Sequence, residues 1–309
     1  MLNKEFLRAA QKGDLAKFIE LKNNINDWSI IRHGPSGDSP LHIAAREGHL
    51  EIVRFLCENW MEQKCTIEVV NLEMKTPLHE AAQFSRTTVV DYFVEKGANV
   101  NALKRADWTP LMLATTKTGV DAYHCVRALL NANANLSIKN KDGWTAFHVA
   151  CRSADIDIVN LLLKYSSKCI EARSNNGRNA LHIAAFHGCE NIIELLVSRD
   201  GDLLNAPDSS GSTSLHESIK SKNLNVMKLL IKLGADINAI DDVRQNILHI
   251  AAAVGNIDIV QYILECNMID VQSEALFHIT PLVAAQRNAQ YDIVELLLKY
   301  SSDNKREDV

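Results

Sequence analysis

The sequence has no paired-cysteine motif, no long apolar run and few aromatic residues. Its seven cysteines include no Cys-x-x-Cys pair and are odd in number, which argues against a disulfide framework or a zinc site. We therefore expect reduced thiols in an intracellular protein, several of them on buried helix faces. No stretch approaches the roughly 20 apolar residues of a membrane-spanning helix, and the N-terminus lacks a signal-peptide core. These absences predict a soluble monomer of the cytoplasm, with the nucleus as a second compartment.

Enzyme signatures are missing as well. The chain contains no H-E-x-x-H, phosphate-binding loop or G-x-S-x-G motif, which are common marks of hydrolases and nucleotide-using enzymes. A net charge of −5 and a pI near 6.1 give no bulk attraction to nucleic acid or to an anionic membrane. We predict a protein that is not an enzyme and takes no cofactor. Nucleic-acid binding through local basic residues is the weakest alternative.

What the chain does contain is a short helix-opening motif, repeated eight times. The motif begins at Ser39, Thr76, Thr109, Thr145, Asn179, Thr213, Asn246 and Thr280. The steps between openings are 37, 33, 36, 34, 34, 33 and 34 residues. A period near 33 is typical of ankyrin repeats, in which each unit is a turn and two helices. The spacing predicts one all-α ankyrin-repeat domain over residues 1–309, with an N-terminal capping unit (1–36), eight repeats (37–300) and a polar tail (301–309).

The residue types at each opening explain why a helix begins there. Ser, Thr and Asn accept a hydrogen bond from a free helical N–H, and a following proline loses none. Alanine pairs such as Ala44-Ala45 let helices approach closely. Gly97 and Gly234 offer the left-handed turn that ends the second helix. A short extended run then leads into a β-hairpin loop before the next opening. The two long steps place extra residues around Trp60–Glu68 and Lys117–Tyr123, where we expect surface loops.

Six histidines occupy the fourth position of the motif. They are His42, His79, His148, His182, His216 and His249. Neighbouring helices lie about 8–10 Å apart, whereas a zinc–nitrogen bond is about 2.0–2.1 Å. Histidines spaced one per repeat cannot share an ion, so we predict no metal site. Each ring is expected to hydrogen-bond its own cap residue and the next turn.

A candidate binding surface follows from the positions that should face the concave side of the repeats. These are the residues just before each opening, after the histidine and after the small-residue pair. On three adjacent repeats they are apolar: Trp108, Leu113, Trp144, Val149, Ile183 and Phe186. Their expected basic edge consists of Lys104, Arg105, Lys139, Lys141, Arg152 and Arg178. Because Trp and Arg dominate binding hot spots and a positive edge complements negative charge, we predict an interface for an acidic or phosphate-bearing partner. The alternative is that each tryptophan merely covers its neighbour's turn.

Two segments resemble a narrower group of ankyrin-repeat proteins. They read L-K-R-A-D-W-T-P-L-M from Leu103 and K-N-K-D-G-W from Lys139, and P-L-H-E-A-A precedes them at Pro77–Ala82. The group they resemble binds the catalytic region of alanyl-tRNA synthetase and supports its editing. Lysines of those proteins capture serine that the synthetase has wrongly activated. The resemblance therefore implies the synthetase as partner and no turnover by the chain itself.

The resemblance also implies acceptor lysines. Lys141 matches one acceptor of the group directly. Arg105 stands at a second acceptor position, beside Lys104, and Glu171 stands near a third, close to Lys168. An amine must lose its proton to attack an acyl-adenylate, and neighbouring positive charges favour the neutral form. The candidates are thus Lys141, Lys104 and Lys168, while a scaffold with an unrelated protein partner remains the alternative function.

Overall fold

The computed structural model describes residues 2–25, 30–58 and 67–307 of the chain. It contains two compact units, Met1–Cys169 and Ile170–Val309, and each is described by itself. Within the described residues the regular structure is helical, with 18 α-helices, short 3-10 turns and no strands. The predicted all-α fold of stacked helix pairs is confirmed. That the two units act as one domain stays a prediction.

The first unit consists of five helix pairs. They are α1 (Leu2–Lys12) with α2 (Leu15–Lys22), α3 (Pro40–Glu47) with α4 (Leu50–Glu58), α5 (Pro77–Gln83) with α6 (Thr87–Glu95), α7 (Pro110–Ala114) with α8 (Val120–Asn131), and α9 (Ala146–Ser153) with α10 (Ile156–Tyr165). The first pair departs from the motif, as predicted. Phe6 of α1 stacks on Phe18 of α2, with ring centroids 4.1 Å apart, and both rings are fully buried.

The second unit consists of four further pairs. They are α11 (Ala180–His187) with α12 (Glu190–Arg199), α13 (Ser214–Lys220) with α14 (Leu224–Lys232), α15 (Ile247–Val254) with α16 (Ile257–Glu265), and α17 (Pro281–Arg287) with α18 (Tyr291–Glu307). Helix α18 runs past residue 300, so the predicted polar tail is helical up to Glu307.

All eight predicted openings are helix N-caps. Each cap residue lies in extended backbone directly before its helix, as at Ser39 (φ −76°, ψ 166°) and Thr280 (φ −86°, ψ 164°). The alanine pairs are buried, and Ala44 and Ala45 have no exposed surface. Within each unit, the first helices of successive repeats pack on one another, as α5 packs on α7 and α13 on α15. The small side chains thus allow the close helix contact that the sequence predicts.

The motif histidines act as a link from one repeat to the next. In α5, the backbone N–H of Thr76 donates to Nδ1 of His79 at 3.1 Å, and Nε2 of His79 donates to the carbonyl of Trp108 at 3.1 Å. His42 makes the equivalent bond to the carbonyl of Lys75 at 2.8 Å. In the second unit, His182 bonds the carbonyl of Ser212 at 2.9 Å. The predicted bonds to the cap and to the next turn are therefore confirmed for these rings.

Adjacent hairpins are joined by backbone hydrogen bonds at their tips. In the first unit the N–H of Arg105 donates to Glu73 at 2.9 Å, and that of Lys141 donates to Ala106 at 3.0 Å. Two hairpins close with an isolated β-bridge, Lys104 to Trp108 and Ala275 to Ile279. In the described residues, each hairpin is therefore a short loop with at most one β-bridge.

The second insertion is only partly a surface loop. Residues 117–119 are exposed before α8, as predicted, whereas Val120–Tyr123 form the first turn of α8 and Ala122 is fully buried, so the predicted loop is wrong for those four residues. The N–H of Gly119 donates to Oδ2 of Asp155 at 2.8 Å, and Asp155 also caps α10. The loop is thus fixed to the next repeat. Most of the first insertion, around Trp60–Glu68, lies outside the described residues.

Most of the described cysteines are buried. Cys125, Cys151, Cys169 and Cys189 are buried free thiols, whereas Cys266 is exposed. Burial raises the pKa of the Cys169 thiol to about 12, so this thiol remains protonated at neutral pH. Among the described residues, no helix is both long enough and apolar enough to cross a lipid bilayer.

The histidine links predict a pH-dependent stability. Burial lowers the pKa of His79 to about 4, below about 6.5 for an unfolded histidine. The unfolded chain therefore binds the proton first, and the stability from neutral His79 is present above pH 6.5 and lost as the pH falls towards 4. Replacing His79 by Gln, which can keep the reciprocal cap, should reduce the loss of unfolding free energy between pH 7 and pH 5 by about 1–2 kcal/mol.

Urea unfolding at both pH values measures this difference. The matched control is His187→Gln at an exposed position, which should leave the pH dependence close to that of the wild type. An unchanged pH dependence in His79→Gln would contradict the role of the buried ring.

Candidate functional site

Trp108 is held at the end of a hairpin by two backbone contacts. Its carbonyl accepts the N–H of Lys104 at 3.0 Å and Nε2 of His79 at 3.1 Å. Two of the three residues between Lys104 and Trp108 have positive φ, Ala106 (62°) and Asp107 (61°). The indole is half-buried. It is neither enclosed in the repeat stack nor fully in solvent, so part of the ring can contact another molecule.

A lysine covers the Trp108 ring. The Nζ atom of Lys104 lies 5.8 Å from the ring centroid, within the range of a cation–π contact. Partial burial lowers the pKa of Lys104, and the positive charge of Lys75 lowers it further. A larger fraction of Lys104 is therefore neutral amine than in a solvated lysine.

Trp144 repeats this arrangement one repeat later. The backbone N–H of Trp144 donates to Oδ1 of Asn140 at 2.8 Å, and the backbone N–H of Asn140 donates to the Trp144 carbonyl at 2.9 Å. The indole is half-buried, and its centroid lies 6.3 Å from that of His148. The Arg152 guanidinium lies 5.6 Å from the Trp144 centroid. A cation thus covers this indole too.

The two tryptophans belong to neighbouring repeats of the same unit. Helix α7 packs on α9, and the N–H of Lys141 bonds the carbonyl of Ala106, so the two hairpins are adjacent. Both rings hold the same position, directly before the helix cap. We call the set Lys104, Trp108, Trp144 and Arg152 the tryptophan surface. It is aromatic and positively charged, which suits an acidic protein surface.

Three residues predicted to face a partner are buried instead. Leu113 is 4% exposed, Val149 is 0% and Ile183 is 3%. All three follow the histidine position, and that position lies where the first helix packs against first helices of adjacent repeats. With helix axes about 8–10 Å apart, a side chain there is covered by its neighbours. The prediction that these three residues line an exposed surface is wrong.

Arg178, also predicted to meet a partner, is neutralised within the second unit. Its guanidinium lies 2.9 Å from Glu217 and 3.4 Å from Asp208. Glu217 is fully buried and also pairs with Lys220 at 2.8 Å. Arg178 therefore compensates a buried carboxylate, which reduces its attraction for an external anion.

The first unit contains a corresponding buried ion cluster. Glu80 is 1% exposed and pairs with Arg46 at 2.9 Å and Lys75 at 3.2 Å, and Arg46 also binds Asp38. Neither cluster was predicted from the sequence. Their signal is a glutamate directly after the motif histidine, in a position that is otherwise apolar, with lysine or arginine nearby in the repeats. Such a residue needs a buried cationic partner.

The remaining predicted residues differ in their exposure and contacts. Phe186 is 41% exposed at the end of α11 and contacts the His187 ring edge-on. Lys139 and Lys141 are exposed in the hairpin before α9, and Lys168 is exposed in the 3-10 turn Ser167–Glu171. Arg105 lies 3.7 Å from Glu73.

Three of the motif histidines have no ring nitrogen left for a metal ion. Both nitrogens of the His42, His79 and His182 rings are engaged with the cap residue and the next repeat. Within the part of the chain that the structure describes, no cluster of three or more His, Cys, Asp or Glu side chains could hold an ion.

The sequence matches the family model of ankyrin repeats (three copies) over residues 6–104, 103–173, 167–241 and 239–308. It is similar to B-cell lymphoma 3 protein of Homo sapiens, at 35% identity over 137 residues, which is 43% of this chain and 30% of that protein. It is also similar to transient receptor potential cation channel subfamily A member 1 of Drosophila melanogaster, at 31% identity over 111 residues, 36% of this chain and 9% of the channel.

Among solved structures, the chain is similar to the ankyrin repeat domain of Bcl-3, described as a unique member of the IkappaB protein family. The TM-score is 0.58 at 31% identity, over 73% of this chain and 99% of that domain. The match spans less than a third of the length of either of the two curated relatives.

The ion cluster of the second unit predicts a structural role for Arg178. Replacing Arg178 by Met should lower the free energy of unfolding by about 1–3 kcal/mol, because Glu217 then remains buried with one cation fewer. Chemical denaturation measures this loss, with Arg199→Met at an exposed position as the control. In a Glu217→Gln background the same substitution should cost less. Equal stability of Arg178→Met and wild type would contradict this role.

Proposed function

The chain belongs to the ankyrin repeat family, and we propose that this protein-interaction module binds its partner through the tryptophan surface. The single observation that carries the proposal is the pairing of each indole with a cation on two adjacent repeats. Lys104 lies over Trp108 and Arg152 lies over Trp144. The alternative that the rings merely cover a neighbouring turn leaves this paired pattern unexplained.

The chemistry of the surface favours a partner with acidic side chains beside apolar ones. Half-buried indoles are already ordered, so they lose little conformational entropy when a partner covers the rest of the ring. The two cations add long-range attraction to negative charge and a penalty against basic partners. Trp and Arg are also the residue types most often found at binding hot spots.

We propose alanyl-tRNA synthetase as the partner. The support is the similarity of the segments from Leu103 and Lys139 to those of ankyrin repeat domain-containing protein 16, a synthetase-binding member of the family. Both segments contribute to the tryptophan surface or to the hairpins beside it. The proposed site of action is the cytoplasm, with the nucleus as the second compartment.

A chemical step can accompany this binding. The synthetase forms seryl-adenylate from serine and ATP when it misactivates serine. The neutral amine of a docked lysine would attack the seryl carbonyl, form an amide bond, and release AMP and a proton. The lysine is consumed, so the chain is an acceptor and not an enzyme. Lys141, Lys104 and Lys168 are the proposed acceptors, and the lowered pKa of Lys104 favours its neutral form.

An unrelated protein partner is the second candidate. Arg105 and Glu171 stand where the resemblance implies lysines, and arginine cannot act as the nucleophile because it stays protonated. In that case the tryptophan surface would still bind an acidic protein, but not the synthetase.

The partner assignment predicts that Trp108→Ala/Trp144→Ala weakens binding to purified alanyl-tRNA synthetase by about 10- to 100-fold. The lost indole area at the centre of the interface is the physical reason. Titration calorimetry at two salt concentrations measures the affinity, which should fall with salt because of the cations.

Tyr291→Ala, which removes a 77% exposed aromatic ring of the second unit, is the matched control and should bind like the wild type. Lys104→Glu/Arg152→Glu tests the surface without removing its rings. Equal affinity for wild type and both double variants would exclude the tryptophan surface as the binding site. If the wild type does not bind the synthetase at all, an unrelated protein is the partner.

The acceptor step predicts covalent seryl adducts. Incubation with synthetase, serine and ATP should add seryl groups that peptide mass spectrometry locates at Lys104 and Lys141. Lys104→Arg/Lys141→Arg keeps both charges but removes both amines, so it should bind the synthetase and form fewer adducts. Adducts that are absent from the wild type, or equal in the variant, would contradict acceptor chemistry at these lysines.

A further inference from the structure

Two neighbouring hairpins of the second unit expose large apolar side chains. Ile240 (50% exposed) and Val243 (46%) lie on the hairpin before α15, and Leu276 (40%) and Phe277 (86%) lie on the one before α17. We call these four residues the apolar tip surface. Single exposed apolar residues are ordinary, but several on adjacent loops mark a contact site.

Backbone contacts bring the two hairpins together. The N–H of Leu276 donates to the carbonyl of Val243 at 3.0 Å, and the N–H of Ala275 donates to Ile279 at 2.9 Å. The first bond joins the two tips, and the second closes the hairpin that carries Phe277. Val243 and Leu276 are therefore neighbours on fixed backbone, and Ile240 and Phe277 lie within three residues of them along the chain.

The turn that presents Phe277 is an unfavourable one for its residues. Phe277 has φ 62° and ψ 31°, and His278 has φ 53°. These are two of the three residues between the bridged Ala275 and Ile279. A residue with positive φ is normally Gly, Asn or Asp, because a bulky side chain is strained there. Phe277 does not offset this strain by burial, since most of its ring is in solvent. Strained residues that offer no packing benefit are concentrated at functional sites.

The two hairpin segments that carry the apolar tip surface contain more acidic than basic residues. The acidic residues are Asp236, Asp241, Asp242, Asp270 and Glu274. The basic ones are Arg244 and His278, and Nδ1 of His278 lies 2.6 Å from Glu274. Residues 170–309 as a whole contain 19 acidic and 12 basic side chains. Such a surface repels anionic membranes and acidic proteins and attracts basic ones.

We propose that the apolar tip surface binds a basic amphipathic segment of a protein. The apolar side chains of that segment would cover Phe277 and Leu276, while its lysines or arginines would lie against the hairpin carboxylates. This site goes beyond the proposed function, because it lies in the other unit and prefers the opposite charge. It is independent of Trp108 and Trp144.

The test uses the full chain and fluorescent 18-residue peptides. One peptide is an amphipathic helix of leucine and lysine, a second has leucine and glutamate, and a third has serine and lysine. The informative variant is Phe277→Gly, because glycine removes the apolar ring and also relieves the backbone strain. Leu298→Ser, at a 52% exposed position of α18, is the control for loss of an exposed apolar side chain.

We expect the leucine–lysine peptide to bind the wild type at least tenfold more tightly than either other peptide. Phe277→Gly should weaken that binding about tenfold and raise Tm by about 2 °C. Leu298→Ser and Trp108→Ala/Trp144→Ala should bind the peptide like the wild type. A gain in stability together with a loss of binding separates a binding residue from a structural one.

Several results would overturn the proposal. These are equal binding by Phe277→Gly and wild type, a lower Tm in Phe277→Gly, and equal affinity for the serine–lysine peptide. Binding to phosphatidylcholine vesicles that Phe277→Gly abolishes would assign the surface to lipid instead. Self-association that is lost in Phe277→Gly on size-exclusion chromatography would assign it to a second copy of the chain.

Discussion

A buried histidine that joins the helix cap of one repeat to the backbone of the next is the contact on which this structure depends. The Thr76 N–H can only donate, so Nδ1 of His79 accepts and Nε2 holds the proton that binds the Trp108 carbonyl. One neutral ring thus accepts the Thr76 N–H and adds a second hydrogen bond to the Trp108 carbonyl, which also accepts the Lys104 N–H. The same bond fixes the residue that precedes the next helix. In the third repeat that residue is Trp108.

This arrangement decides where a binding surface can lie. The side chain directly after the histidine is enclosed by adjacent helices, so it serves the core whether it is apolar, as Val149, or charged, as Glu80 and Glu217. The buried glutamates need arginine or lysine partners from nearby positions. Arg178 is such a partner of Glu217, so its charge is compensated within the protein. The exposed and well-fixed positions are those of the hairpins. Both proposed surfaces use them, one aromatic and basic, the other apolar and acidic.

The sequence predicted the repeats more fully than the surface. Cap residues, prolines, alanine pairs and histidines have local roles, so the helix openings and the histidine bonds could be inferred from residue types and spacing. The burial of Leu113 and Ile183 could not, because it depends on how closely the adjacent repeats pack. The positive φ angles at Ala106-Asp107 and Phe277-His278 could not be predicted either, because neither turn contains the glycine that normally marks positive φ.

We infer that a partner covers the two tryptophan hairpins of the first unit. Hydrogen–deuterium exchange of the full chain, alone and with alanyl-tRNA synthetase, tests it most directly. We expect slower exchange in the complex at residues 104–109 and 139–145, with little change at residues 236–246. Protection confined to other residues, or no protection at saturating synthetase, would contradict the claim.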